Sequence, residues 1–421
     1  MVRVERSCLP RAGADHSHQR RVDDRAGHLR DRARLIGKRR EGLLRPKLCI
    51  GIDASRATVA RRTGTENYAL NLIRALCRDE SPARSCSYRL YFRDPPASDL
   101  CAPSDFIEQR VIPFPRLWTH LRLSWEMLRR PPDLLFVPAH VLPPIRPPRS
   151  LVTVHDLGYR HFPQAHRLLD RLYLDLSTRW NVRAATRVLA DSEATKADLI
   201  REYRTPPGKI TVVYPGRDEN LRRVDDPALL AAVKARYGLG GDYILYLGTL
   251  HPRKNLLRLV ESFARLASQL PARNVQLVIA GKKGWLYDEI FERVKALGLS
   301  GRVVFTGYVA GADLPALLSG ARLLAFPSLY EGFGFPVLEA MSCGLPVVCS
   351  DTSSLPEVAG DAALLVDPLD TEALAAAMIS LLGDESLRAG LVERGYRQAQ
   401  RFSWQRAARE VRNVIEELLG S

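Results

Sequence analysis

The sequence predicts an α/β protein of two doubly wound, Rossmann-like domains that face each other across a cleft. Two series of short apolar segments alternate with segments of helical periodicity. Alternation of this kind indicates parallel sheets that helices cover on both faces. A charged stretch poor in apolar residues, RDENLRRVDDP, separates the two series and predicts a linker at 217–227. With 421 residues and 46% hydrophobic content, the chain is long enough for two separate cores.

The first residues, 1–46, are predicted to form a disordered basic extension, because they hold few apolar residues and no sustained periodicity. Translation from upstream of the working start is the alternative interpretation. Residues 1–47 carry fourteen Lys and Arg against six Asp and Glu, which is +8 of the net charge of +15. Charge concentrated in so short a stretch indicates a local contact with phosphates or a membrane surface and argues against a nucleic-acid groove.

The first domain is predicted to cover residues 47–225. Its first strand is KLCIGID, and ALNLIRALCRD has the apolar spacing of the helix that follows. Five further strand candidates are YRLYF, DLLFVP, LVTVH, TRVLADS and ITVVYPG. The second domain is predicted to cover residues 226–401. Its strand candidates are DYILYLGTL, VQLVIAG, RVVFTGY, ARLLAFPS and LPVVCSD. Ligands of such sheets bind at the carboxyl ends of the strands, so the cleft between the domains is the expected site.

The segment RLWTHLRLSWEMLRR, at 116–130, predicts an amphipathic helix. Its apolar side is formed by Trp118, Leu121, Trp125 and Leu128. Packing of that side on the first sheet is the preferred interpretation. Contact with an anionic membrane surface is the alternative, which the arginines of the segment support.

The cysteines and the hydropathy predict a cytoplasmic chain. Seven cysteines are an odd number and form no CxxC pair, which favours free, buried thiols in a reducing compartment. The sequence holds no run of 18 apolar residues and its N-terminus lacks the apolar core of a secretory signal.

Arg253 and Lys254 follow a strand and precede Asn255, which occupies a natural N-cap position for the next helix. Cations are unfavourable at a helix N-terminus, where the macrodipole is positive. A bound phosphate group would remove the conflict. On this argument, loss of either cation leaves the stability of the fold unchanged or slightly higher.

The stretch SLYEGFGFPVLEAMSCGLPVV, at 328–348, holds Glu331 and Glu339 on either side of a flexible aromatic loop. Pro336 suits the first turn of a helix that runs to about Cys343. Glu339 then lies in the first turns of this helix and can accept hydrogen bonds from ribose hydroxyls. The loop before the helix contains Gly332 and Gly334, whose backbone N–H groups can approach a ligand closely.

His155, in TVHDLGYRHFP, ends a strand of the first domain, where it can donate to a sugar hydroxyl or transfer a proton. Gly64 lies in the first strand-to-helix loop and can admit a phosphate, although a plain turn glycine is the alternative. No Asp-x-Asp occurs in the chain, so no metal site is predicted.

Together these motifs resemble the retaining glycosyltransferases of family 4, which have the GT-B fold. The resemblance runs from about Lys47 to the C-terminus. It rests on E-x7-E at Glu331 and Glu339, on RKN at 253–255 and on VHDL at 154–157, with DSEATKADLIREY and RFSWQRAAREV as further matches. The amino-acid sequence of the E-x7-E segment is most like that of the bacterial mannosyltransferases.

The resemblance implies that the second domain holds a nucleotide-sugar donor and the first an acceptor, a glycan or a lipid-linked sugar. The implied catalytic residues are His155, Arg253, Lys254 and Glu331. The implied donor contacts are Gly64, Gly248, Arg253, Lys254, Gly332, Phe333, Gly334, Phe335 and Glu339. GDP-mannose is the favoured donor, and no cofactor or metal is expected. The last helix, 402–421, is implied to cross back to the first domain.

The implied role is synthesis of an envelope polysaccharide or glycolipid, with the enzyme peripheral on the inner face of the cytoplasmic membrane. Two alternatives remain open at this stage. One is a nucleotide-sugar epimerase or phosphorylase on the same fold, and the other is a non-catalytic nucleotide-sugar-binding protein.

Overall fold

A computed structural model describes residues 48–59, 64–78, 86–96, 100–139, 141–270, 274–282, 284 and 288–420. Within these ranges the chain forms two parallel sheets flanked by helices, which confirms the predicted pair of Rossmann-like domains. The predicted basic extension, 1–46, lies outside the described residues.

The first sheet has seven strands. They are β1 (Leu48–Asp53), β2 (Cys86–Phe92), β3 (Ile107–Val111), β4 (Leu134–Val137), β5 (Arg149–Val154), β6 (Arg187–Ala190) and β7 (Ile210–Val212). Their order is β3-β2-β1-β4-β5-β6-β7. The helices of this domain are α1 (Gly64–Arg78), α2 (Ser124–Arg129), α3 (Gly158–His161), α4 (Leu168–Ala184) and α5 (Glu193–Tyr203), and a π-helical turn (Trp118–Leu123) precedes α2.

The second sheet has six strands. They are β8 (Asp242–Leu247), β9 (Val275–Ala280), β10 (Val303–Gly307), β11 (Leu323–Phe326), β12 (Val347–Ser350) and β13 (Ala363–Val366), in the order β10-β9-β8-β11-β12-β13. Its helices are α6 (Pro227–Arg236), α7 (Leu256–Gln269), α8 (Asp288–Ala296), α9 (Leu314–Ser319), α10 (Phe335–Ser342), α11 (Leu355–Ala359), α12 (Thr371–Gly383) and α13 (Glu385–Gln400). The strand order reverses between β8 and β11, so the loops after these two strands flank the switch point where α/β sheets bind ligands.

The final helix, α14 (Trp404–Gly420), packs on the first domain although it follows the second in sequence. Its buried side includes Trp404, Val411 and Ile415, which share one hydrophobic core with Ile50 and Leu72. A helix that buries one apolar face against another domain ties the two domains together.

Two strands, β3 and β13, were not predicted from the sequence, because they lie at sheet edges and carry little buried apolar surface. In β3 (IEQRV) only Ile107 is buried, and in β13 (ALLV) no side chain is fully buried. A half-exposed edge strand lacks the continuous apolar run of a central parallel strand, which is the signal that identified the others.

The predicted packing of segment 116–130 on the sheet is wrong for most of its apolar side. Trp118 is buried and its indole Nε1 donates to Ile112 O at 2.8 Å. Leu121, Trp125 and Leu128 are each more than half exposed. The opposite side of the segment packs on the sheet instead. Its buried apolar side chains are Leu123 and Met127.

The prediction of free thiols is wrong for one pair of cysteines. Cys77, in the last turn of α1, forms a disulfide with Cys101. Among the other described cysteines, the buried Cys343 and Cys349 are free thiols. No helix in the described ranges has the length and apolar content needed to cross a bilayer.

Candidate active site

Two loops at the switch point of the second sheet bring two cations and one carboxylate together. Arg253 and Lys254 lie in a 3-10 turn (Pro252–Lys254) after β8, and Glu331 lies in the loop after β11. Lys254 Nζ forms an ion pair with Glu331 Oε1, and Arg253 Nη1 lies 3.6 Å from Glu331 Oε2. The two loops are joined by their backbones, since Leu329 N donates to Arg253 O at 2.8 Å. Neighbouring parallel strands therefore place residues 77 positions apart in contact.

This ion-pair group is almost sealed from water. Lys254 and Glu331 are 8% and 6% exposed. Burial lowers the pKa of Lys254, and the result stays below its usual value although Glu331 opposes the shift. Burial raises the pKa of Glu331, but Lys254 and Arg253 outweigh it and leave that pKa below its usual value. The carboxylate of Glu331 is therefore ionised at neutral pH, and its ion pair with Lys254 holds both side chains in place.

The first domain closes over this group through His155 and Asp156. Asp156 Oδ2 lies 3.8 Å from Arg253 Nη1 across the cleft. Gly332 is packed so tightly against the first domain that a Cβ atom there would lie 2.1 Å from His155 O. The predicted close approach at Gly332 is thus made, in this structure, to the backbone of the other domain. Any larger residue at 332 would push the domains apart.

Asn255 begins α7, as the sequence predicts, but its side chain does not cap the helix. The residue adopts the left-handed conformation, with φ of 59°. Its Nδ2 donates to Pro368 O at 2.6 Å and its Oδ1 accepts from Arg258 Nη1 at 3.0 Å. The negative charge beside Arg253 and Lys254 comes from the carboxylates of Glu331 and Asp156. The prediction of a bound phosphate considered only the helix N-terminus and did not include these carboxylates.

His155 is held by two hydrogen-bond acceptors. Its Nδ1 lies 2.6 Å from Asp191 Oδ2 and its Nε2 lies 3.0 Å from Pro138 O. Burial lowers the pKa of His155, but Asp191, with smaller contributions from Asp156 and the Pro138 carbonyl, more than offsets this, so the pKa lies above its usual value. Since a carboxylate and a carbonyl oxygen can only accept, the ring fits this position best as an imidazolium. Tyr68 packs edge-on against it, with ring centroids 4.8 Å apart.

We expect Asp191→Asn to lower the pKa of His155, because the substitution removes the charge that stabilises the imidazolium. A raised folded pKa gives stability that is present at low pH and is lost as the pH rises through that pKa, so the variant should lose this part of the stability. The His155 ring proton shift, followed by NMR against pH, measures the change. Asp198→Asn, beside His161, is the matched control. An unchanged titration of His155 in Asp191→Asn would contradict the assignment.

Glu339 is the fifth residue of α10, and Pro336 lies in the first turn as predicted. Its carboxylate is partly buried and has no hydrogen-bond or ion-pair partner within the part of the chain that the structure describes. Burial, with a smaller contribution from Asp218, raises its pKa to about 7. A partly buried carboxyl group with a pKa near neutrality and no partner is suited to accept hydrogen bonds from a ligand's hydroxyl groups in its ionised form.

The aromatic residues of the loop pack against other aromatic rings of the protein. Phe333 is 3% exposed and belongs to the core of the second domain. The Phe335 ring stacks at 6.5 Å on Trp404, and a Cβ atom at Gly64 would lie 3.6 Å from it. Gly334 adopts φ of 117°, which favours glycine at the start of α10. The backbone of this loop stays the predicted donor contact.

Gly248, the last predicted donor contact, directly follows β8 and has φ of 151°. A Cβ atom there would lie 2.8 Å from Tyr246 Oη. Its backbone N donates to Ala280 O at 2.9 Å, which fixes the exit of the chain from β8 towards Arg253.

Three residues of the cleft were given no role by the sequence motifs and were missed. Asp191 is one of them. Tyr330 donates its hydroxyl to Asp198 Oδ2 at 2.8 Å across the cleft. Glu357 accepts from the backbone N of Glu193 at 2.9 Å, at the start of α5. Tyr330 stands beside Glu331, and Asp191 opens the family-like segment DSEATKADLIREY, but these are weak signals because neither indicates the partner of the side chain. In the described ranges, no three His, Cys, Asp or Glu side chains are grouped in a way that could hold a metal ion.

Two family models match the chain. The model "Glycosyltransferase Family 4" matches residues 62–221, and "Glycosyl transferases group 1" matches residues 234–398. The O-antigen chain mannosyltransferase B of Escherichia coli is 35% identical over 303 residues, which cover 72% of this chain and 78% of the relative.

Solved structures share the fold at low identity. Sucrose-phosphate synthase from Thermosynechococcus elongatus superposes with a TM-score of 0.68 at 23% identity, covering 89% of this chain and 99% of that one. HepE from Anabaena, solved in complex with UDP and glucose, gives a TM-score of 0.66 at 19% identity, covering 87% and 99% of the two chains.

Proposed function

The chain belongs to the family-4, group-1 glycosyltransferases, and on that premise we propose that it moves mannose from a nucleotide-sugar donor to a glycan or lipid-linked acceptor with retention of configuration. GDP-mannose is the favoured donor. The mannosyl specificity is supported by the E. coli relative, which is a mannosyltransferase. The product would serve synthesis of an envelope polysaccharide or glycolipid at the inner face of the cytoplasmic membrane, in contact with anionic lipid.

The observation that carries the proposal is the ion-pair group of Arg253, Lys254 and Glu331 at the switch point of the second sheet. Two cations beside a cleft, Lys254 buried and Arg253 partly exposed, suit the diphosphate of a nucleotide sugar, because its negative charge grows as the bond to the sugar breaks. Glu331 and Asp156 neutralise these cations in the structure as it stands. A diphosphate would take over part of that role.

The proposal assigns the remaining groups by their position around this pair of cations. Glu339 binds the ribose, because its carboxylate is partly buried and unpartnered within the described ranges. The backbone from Gly332 to Phe335 borders the sugar. His155 lies near the sugar hydroxyls, and its Nε2–H donates to one of them once it leaves Pro138 O, while Nδ1–H stays on Asp191. No general base is assigned.

The test is a donor screen with the purified full-length chain. Several nucleotide sugars, GDP-mannose among them, are incubated with and without a lipid extract, and products are identified by mass spectrometry. We expect transfer of mannose to a component of the extract, with the donor's anomeric configuration kept in the NMR spectrum of the product. Conversion of one nucleotide sugar into another would indicate an epimerase. Tight donor binding without any turnover would indicate a binding protein, and either result would contradict the proposal.

We further predict that transfer continues in excess chelator, because the two cations can neutralise the diphosphate without a divalent ion. The rate of mannose transfer is measured with chelator and again after magnesium or manganese is restored. Loss of activity with chelator, followed by recovery with either ion, would show that this prediction is wrong.

A further inference from the structure

The first domain exposes an unusual amount of apolar surface. Of the sixteen large hydrophobic side chains that are exposed in the described ranges, twelve lie between Val111 and Trp180. Single exposed apolar residues are common, but a continuous group of them marks a contact surface.

Two helical segments supply most of these side chains. Leu117, Leu121, Trp125 and Leu128 recur every three or four residues along the π-helical turn and α2. Leu168, Leu169, Leu172, Tyr173, Leu176 and Trp180 recur in the same way along α4. Residues at this spacing share one helix face. In α4 only three of seventeen residues are buried, so this helix turns its apolar face to solvent.

The two faces adjoin and form one surface. The rings of His120 and Tyr173, one on each segment, lie 6.2 Å apart. The exposed Ile145 adjoins the first segment, with its backbone N donating to Ser124 Oγ at 3.4 Å. We name the whole, from Leu117 to Leu128 with Ile145 and from Leu168 to Trp180, the apolar surface.

The charge around the apolar surface is basic. Residues 116–130 and 167–183 contain eight arginines against three acidic residues. Of these acidic residues, Glu126 is buried and paired with Arg110 and Arg122. Asp175 is likewise engaged, by Arg179 at 2.8 Å. The arginines of the two segments, which we call the basic rim, thus outnumber the carboxylates, and long basic side chains can reach outward past apolar neighbours.

We propose that the apolar surface is a docking face for an anionic lipid bilayer. Leucine side chains would enter the acyl boundary, Trp125, Tyr173 and Trp180 would lie at headgroup level, and the arginines would contact lipid phosphates. A partner surface without charge would explain the leucines but not the basic rim, so charge complementarity favours anionic lipid.

The position of the apolar surface near the cleft indicates a function for it. His166, two residues before α4, has its ring 5.9 Å from that of His251, which precedes the Arg253 turn. The start of α4 therefore lies close to the candidate active site. This use, which rests on the proposed function, is to hold the enzyme where a lipid-linked acceptor can enter the cleft.

Vesicle sedimentation of the full-length chain tests the docking face without donor or acceptor, so its outcome is independent of catalysis. The wild type is compared on phosphatidylcholine vesicles and on mixed phosphatidylcholine–phosphatidylglycerol vesicles. We expect binding to the mixed vesicles that weakens with salt. The double variant Leu169→Glu/Leu176→Glu should bind the mixed vesicles at least about tenfold more weakly than the wild type, because each leucine loses its burial in lipid.

The control is Leu229→Glu/Leu369→Glu, which changes two exposed leucines of the second domain. It should bind vesicles as the wild type does, and both variants should keep the wild-type melting temperature because their side chains are exposed. Equal vesicle binding by the wild type and the α4 variant would overturn the proposal. So would light scattering that shows a wild-type dimer which the α4 variant converts to a monomer, because the surface would then be an interface between copies of the chain.

Discussion

Replacement of Arg253 by alanine is expected to lower kcat by about 10²–10³-fold, the scale of removing one preorganised charge-stabilising group. Negative charge grows on the leaving diphosphate as the bond to the sugar breaks. A fixed cation beside it therefore interacts more strongly with the transition state than with the intact donor, and only that difference accelerates the step. The KM for the donor should rise less, because part of the interaction already exists in the ground state.

Steady-state kinetics with a melting curve for each variant measures this effect. Arg258→Ala is the matched control, because Arg258 lies one turn away on α7 and contacts Asn255 rather than Glu331. It should keep kcat near that of the wild type. If Arg253→Ala kept kcat while its fold weakened, Arg253 would be a structural residue and its assignment to the diphosphate would be wrong.

Lys254 needs a different design, because the structure reverses the stability expected from the helix dipole. Lys254→Ala leaves Glu331 buried and without its nearest cation, and breaking one side of a buried ion pair costs roughly 3–5 kcal/mol. A loss of activity in this variant would mix catalysis with unfolding. Lys254→Ala/Glu331→Gln removes both charges and should recover much of the free energy of unfolding while kcat stays low.

Glu339→Gln is expected to weaken the affinity for a nucleoside diphosphate by roughly 10–100-fold, since a hydrogen bond to a charged group contributes about 1.5–3 kcal/mol. Glu331→Gln should keep or raise this affinity, because it leaves Arg253 and Lys254 less neutralised. Titration calorimetry of both variants gives the comparison. An equal loss of affinity in the two would contradict the separate roles of these glutamates.

Glu339 also predicts a pH dependence. Its pKa is raised to about 7 in the folded protein, so between its usual value and 7 the folded state holds a proton that the unfolded state releases. The free energy of unfolding should therefore fall as the pH rises through this window, and the fall should be smaller in Glu339→Gln. Donor affinity should rise over the same window in the wild type relative to the variant, because ribose hydroxyls donate to the carboxylate. If the free energy of unfolding and the donor affinity changed with pH in the same way in the wild type and in Glu339→Gln, Glu339 would not titrate in this window.

The sequence by itself determined the fold class and predicted the position of the candidate site along the chain. Central parallel strands are buried on both faces, so their apolar runs are visible in the sequence whatever the strands contact. The loop residues Arg253, Lys254 and Glu331 follow two such strands, and the carboxyl ends of parallel strands share one edge of a sheet. The meeting of these residues was therefore predictable in outline, whereas the direct ion pair between Lys254 and Glu331 was not.

Only the tertiary structure decided which groups the site residues contact. Asp191 holds His155 from 36 positions away, and Gly332 is pressed against the backbone of the other domain. Asn255 adopts a left-handed conformation and bonds to Pro368 O, so a favourable local cap was not used. Periodicity also left open which side of segment 116–130 faces the sheet. A repeat of 3.6 residues reports that a helix has an apolar side, but it does not say whether protein or another apolar phase covers that side, because the surface it meets lies elsewhere in the sequence or outside the chain.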